Sequence, residues 1–135
     1  MENLEPPIRP LVDALNRTGL LQTFSSCAGH YEPDEQTLAD RNFAFVKFVP
    51  APGIDRTAVE TFVSQLLLRF TRQHGRLPMQ LLGYQQYVPS DERAVEMAFV
   101  LELRPFNRFD PPATKRADTD RAIGQLTQLV LRGAW

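Results

Sequence analysis

The chain's only cysteine and one of its two histidines stand three residues apart in the octapeptide Thr23-Phe24-Ser25-Ser26-Cys27-Ala28-Gly29-His30. A thiol there could act as a nucleophile if a neighbouring cation lowered its pKa from about 8.5. His30 is the nearest group to perturb it or to serve as general base. Gly29 permits a positive φ, and successive backbone N–H groups in such a turn can form an anion-binding nest, with the hydroxyls of Thr23, Ser25 and Ser26 as added donors. The same residues have a plain structural account. Serine and threonine end strands by bonding to local backbone, and a lone cysteine packs as a small hydrophobe. Cys27-x-x-His30 also has the spacing of half a zinc site. With His74 the chain offers three cysteine or histidine ligands where a structural site takes four, so one of Glu32, Asp34 or Glu35 would have to complete the set. No metal is expected.

The elements that would position this segment follow from periodicity. Ile8, Leu11, Val12 and Leu15 form one apolar stripe of a short helix, with Pro10 in its first turn and Gly19 beyond its end. Residues 20–26 read as a strand, and 27–41 as a long connection. Asn42 to Val49 is the clearest strand, apolar on both faces except at Lys47, which predicts an interior position in a sheet. Asp55, with Thr57 as a nearby alternative, is placed as N-cap of a helix whose ladder is Val59, Phe62, Val63, Leu66, Leu67 and Phe70, with Gly75 at its end. Residues 78–88 and 94–104 predict an antiparallel hairpin around Pro89-Ser90-Asp91. Arg104 to Lys115 reads as a loop and residues 118–131 as the last helix. The order α-β-β-α-β-β-α predicts a single α+β domain over residues 1–135: a two-layer sandwich with a mainly antiparallel four-stranded sheet. The repeated ββα order hints at an internal structural duplication.

Composition narrows the classes. The 135 residues are 43% hydrophobic and 23% charged, the balance of a folded chain, and the formal charge is −1. That near-neutrality argues against a dedicated nucleic-acid binder while leaving room for a local basic patch. One cysteine cannot close an intramolecular disulfide, and no apolar run approaches the roughly 18 residues of a membrane span. The expectation is a cytoplasmic protein with no membrane partner.

Ser25-Ser26-Cys27-Ala28-Gly29-His30, preceded by Thr23 and by a helix ending near Asn16-x-Thr18-Gly19, resembles the N-terminal signature of the wybutosine-synthesising tRNA methyltransferases. That family carries a Ser-Ser-Cys-Ser-Gly-Arg run after a helix containing an asparagine. The segment is also similar to the Ser-Cys-x-Gly-His stretch of short uncharacterised bacterial and phage proteins. The likeness spans about 20 of the 135 residues. It implies an α/β domain that binds S-adenosylmethionine or a nucleotide beside the serine-cysteine turn. Ser25, Ser26, Cys27 and Gly29 match, whereas His30 stands for the arginine and Ala28 for a serine. The family's later motifs have no counterpart here.

The candidate ligand-binding set is therefore Thr23, Ser25, Ser26, Cys27, Gly29 and His30, with no catalytic role assigned. Ser25, Ser26 and the turn amides would hold a nucleotide, S-adenosylmethionine or RNA. His30 would orient it or exchange a proton, and Cys27 would pack or supply polarity. Arg104, Arg108, Lys115 and Arg116 around Phe106 and Phe109 suit phosphate contact plus base stacking, or else a solvated loop anchored by its phenylalanines. Tyr84 to Tyr87 fit a binding face or the outward side of a strand. The contrasting class is a noncatalytic homo-oligomer built through a sheet edge or through Gly133-Ala134-Trp135, where an exposed tryptophan would anchor the interface.

Overall fold

A computed structural model of the chain describes residues 5–31, 43–91 and 93–135. The elements are α1 (Arg9–Arg17), β1 (Leu21–Cys27), β2 (Ala44–Pro50), α2 (Arg56–His74), β3 (Met79–Pro89), β4 (Val95–Pro105) and α3 (Pro112–Arg132). This is the expected α-β-β-α-β-β-α order in an α+β fold. Every strand pairing is antiparallel, and the sheet runs β1-β2-β4-β3. β2 thus lies inside the sheet, as its two-sided apolar pattern predicts. The second strands of the two hairpins meet at the centre, Val46 opposite Leu101.

Alternation decides which residues enter the core. Val46 and Phe48 of β2, Phe99, Leu101 and Leu103 of β4, and Met79 and Leu81 of β3 face the helices. There they join Leu11 and Leu15 of α1, Val59, Phe62, Leu66 and Phe70 of α2, and Ile123 and Leu126 of α3 in one apolar cluster. Phe48 and Phe99 stack with centroids 5.8 Å apart. Among the described residues no helix is long and apolar enough to cross a membrane.

Element ends depart from expectation in instructive ways. Asp55 occupies the N-cap of α2, but its side chain makes no capping hydrogen bond. α3 begins at Pro112, well before residue 118. The prolines that read as loop serve as a helix start, because proline at the first helical position loses no intrahelical bond. Gly19 and Gly75 take φ of 75° and 73° directly after α1 and α2, where residues with a Cβ are disfavoured.

Candidate functional site

The octapeptide divides among three environments. Thr23 lies opposite Phe48 and Ser25 opposite Lys47, so β1 carries one residue more than β2 there, and Phe24 is the bulge, 53% exposed. Directly opposed residues share a face. Thr23 and Ser26 therefore lie on the helix side with Phe48 and Val46, while Ser25 and Cys27 lie with Lys47 and Phe45 on the other face. One extra residue moves the serine and the cysteine onto a sheet surface that none of α1, α2 and α3 covers.

Thr23 has a structural task. Its N–H donates to Asn16 Oδ1 at 3.0 Å and its hydroxyl accepts from Asn16 Nδ2 at 2.9 Å, while Nδ2 also donates to Val12 O at 3.1 Å. Asn16 thereby clamps α1 to β1. The turn beyond Cys27 is engaged as well. Ala28 N–H donates to Glu5 Oε1 at 2.7 Å, and Gly29 N–H donates to Cys27 Sγ at 3.4 Å. Arg116 of α3 donates Nη2 to Ala28 O at 2.7 Å and Nη1 to Gly29 O at 3.0 Å, and its other bonds go to Asp120. Its guanidinium covers the Tyr31 ring at 4.9 Å.

Tyr31 is 2% exposed and shares a 2.7 Å hydrogen bond with the Thr119 hydroxyl. Burial pushes its phenol above the ordinary 10.0, only partly offset by Thr119 and Arg116. At Gly29, φ is 94° and a Cβ would come within 2.8 Å of the Tyr31 ring, so no other residue fits. Of the N–H groups that could have formed an anion nest, that of Ala28 goes to the N-terminal segment and that of Gly29 to Cys27, while the turn's carbonyls are tied to α3. His30 sits half-buried just past β1. Glu32, Asp34 and Glu35, which would complete a zinc set, lie outside the described residues.

The uncovered face carries the remaining chemistry. Cys27, Phe45, Glu102 and Leu82 form one row across the sheet; Ser25, Lys47, Val100 and Tyr84 form the next. Lys47 Nζ stands 5.2 Å from the Phe45 centroid, Arg104 lies 4.7 Å over the Phe43 ring, and the two rings are 5.9 Å apart. At the centre, Glu102 is 3% exposed and accepts from Tyr84 Oη at 2.9 Å and from Arg104 Nε at 2.7 Å. Burial, with Glu102 beside it, raises the Tyr84 phenol above 10.0. A groove of about 710 Å³ opens at the end of this face beside Phe24, Val49, Val88 and Ala98, with Arg56 and Glu96 on its walls. Gln86, opposite Ala98, holds a buried Oε1 with no hydrogen-bond partner among the described residues.

Phe45, Lys47 and Glu102 are members of this surface that sequence reasoning did not select. Their signals were present: one lysine in an otherwise apolar strand, and one acid in the apolar half of β4. The loop residues fare differently. Phe106 and Phe109 are 58% and 84% exposed, so they do not anchor the loop. Arg116 belongs to the turn and Arg104 to the open face. Trp135 does not project outward; it meets Phe62 edge-on at 4.9 Å, lies under Arg69 at 4.3 Å, and donates Nε1–H to Val130 O at 2.9 Å.

No protein-family model matches the chain, and neither a curated protein nor a solved structure is significantly similar to it.

Proposed function

We propose that the helix-free face of the sheet binds a ligand that joins a flat ring to negative charge: a nucleotide or a short single-stranded RNA. The observation that carries this reading is the presence of two aromatic–cation pairs, Phe45 with Lys47 and Phe43 with Arg104, on one uncovered sheet surface. Aromatic rings on an exposed sheet stack nucleobases, and flanking cations meet phosphates. Ser25 and Cys27 border Lys47 and Phe45 and would contact the polar remainder. S-adenosylmethionine carries an adenine and falls within the same class. The near-neutral chain suits a few contacts on one patch better than a long track of phosphates. The orphaned Gln86 acceptor favours a ligand that brings a donor. A cytoplasmic setting fits both this ligand class and the single cysteine.

The test is a thermal-shift and fluorescence titration with ATP, S-adenosylmethionine and a short single-stranded RNA. At least one should stabilise the protein saturably. Phe45→Ala should weaken it by about 5- to 150-fold, the loss expected when a base–aromatic stack worth about 1–3 kcal/mol is removed. Unchanged affinity in Phe45→Ala, or no stabilisation of the folded wild type by any of the three, overturns the reading.

A second reading is a homo-oligomer that covers the same face. It is favoured by Phe24, 53% exposed beside the apolar groove. Sedimentation separates the two: Phe24→Asp should dissociate an oligomer built on this face, whereas a wild type that stays monomeric at high concentration rules that oligomer out.

A further inference from the structure

A second cavity lies away from the uncovered face, between α2 and α3. It encloses about 520 Å³, within the span of about 300–1,000 Å³ common to small-molecule sites. α2 lines it with Arg69, Gln73 and His74, and α3 with Gln125, Gln128 and Arg132. No carboxylate is among its lining residues. Arg69 and Arg132, like Arg17, Arg72, Arg76, Arg93 and Arg108, stand within 4.0 Å of no acid among the described residues, so the positive charge of the cleft is not offset there. Basic residues in the last turns of helices, as His74 and Arg132 are, ordinarily offset the helix dipole. That account does not extend to three glutamines facing one hollow, and the stacking of Arg69 on Trp135 at 4.3 Å leaves its charge without an acid among the described residues.

Gly124 supplies an independent observation. It stands inside α3, where glycine weakens a helix. No atom lies within 4 Å of where its Cβ would be, so internal packing does not require it. What its absent side chain leaves is open floor in this cleft.

We propose that the cleft between α2 and α3 is a binding site for a small organic phosphate, distinct from the sheet face. Arg69 and Arg132 hold the phosphoryl oxygens, the glutamines bond the polar remainder, and Gly124 admits the ligand to the helix surface. Two arginines lining one hollow match a phosphate, which offers three oxygens and up to two charges, better than a single carboxylate.

The probe is inorganic pyrophosphate, titrated by calorimetry and by backbone amide NMR, with citrate as a carboxylate control. Pyrophosphate should bind saturably and shift the amide signals of Gly124 and Gly133. Arg132→Gln should weaken it by about tenfold or more, the loss expected for a charge-assisted contact. Gly124→Leu, which favours the helix and fills the floor, should abolish binding while leaving the melting temperature unchanged or higher. Phe45→Ala should bind pyrophosphate as the wild type does. Lack of saturation at millimolar pyrophosphate, equal binding by Gly124→Leu, or citrate binding as tightly overturns the proposal. Loss of binding in Phe45→Ala also overturns it, because it would assign the anion to the sheet face.

Discussion

Strand β4 shows Phe99, Leu101 and Leu103 to three helices, and Ala98, Val100 and Glu102 to none. The two faces of this one sheet differ in what replaces water. On the helix side, apolar side chains from α1, α2 and α3 join those of the sheet in one cluster over the strand. On the other, Val100 and Ala98 are just as buried, at 1% and 2% exposure, yet neighbouring side chains such as Lys47 and Tyr84 do the covering. Long side chains that shield a strand can also swing aside; a packed helix cannot. The helix side therefore sets stability and the open side is available for recognition.

The largest expected effect breaks that contrast outright. Phe48→Ala empties a site with 0% exposure and should cost about 3–5 kcal/mol. Phe45→Ala, three residues away on the open face, should cost less than about 1.5 kcal/mol, since that side chain is only partly buried and its neighbours there include Lys47 and Phe43 rather than a helix. Urea unfolding of both variants measures the difference. Equal losses would mean that the open face is as much a core as the helix side, and the division of labour would fail.

The turn at residues 28–31 sharpens the comparison, because it belongs to neither face. Arg116 bridges two carbonyls of this turn and covers a buried ring. Arg116→Ala should cost about 1.5–3 kcal/mol, the range for hydrogen bonds to a charged group. Arg116→Lys should recover less than half of that, since an ammonium cannot span both oxygens in one plane. Ligand affinity at the open face should change little in either variant. A loss of ligand binding without a loss of stability would return the turn to the binding site.

These contrasts also explain which parts were legible in the sequence. The order of elements, the interior place of β2 and the apolar ladder of α2 follow from periodicities that need no partner to read. The bulge at Phe24 does not, because a register shift is a property of two strands, and it alone moves Ser25 and Cys27 to the open face. The bridge from Arg116 to Gly29 spans 87 residues of chain and has no local signature. Gly29 was readable as a special backbone position. That its neighbour two residues on would seal it, and that the turn's amides would be spent internally, required the tertiary structure.

The smallest effect is one of pH, and it isolates the sealed turn from the open face. Tyr31 is neutral and buried in the fold, with its phenol raised above 10.0, whereas in the unfolded chain it titrates near that value. Between the two, the unfolded state binds fewer protons, so stability falls as pH rises. The contribution of Tyr31 is fully present below about pH 10 and is lost as pH climbs through the higher folded value. Tyr84 is raised in the same direction, but at 43% exposure solvent screens it and its share is smaller. Tyr31→Phe should thus cost about 1 kcal/mol at neutral pH for the Thr119 hydrogen bond, and it should flatten the decline above pH 10. Tyr84→Phe should leave the slope nearly as in the wild type. Denaturant midpoints measured from pH 8 to 11 would decide it: if Tyr84→Phe flattens the curve more than Tyr31→Phe, the more tightly held tyrosine is the one on the open face, and the assignment of rigid turn and accessible sheet is reversed.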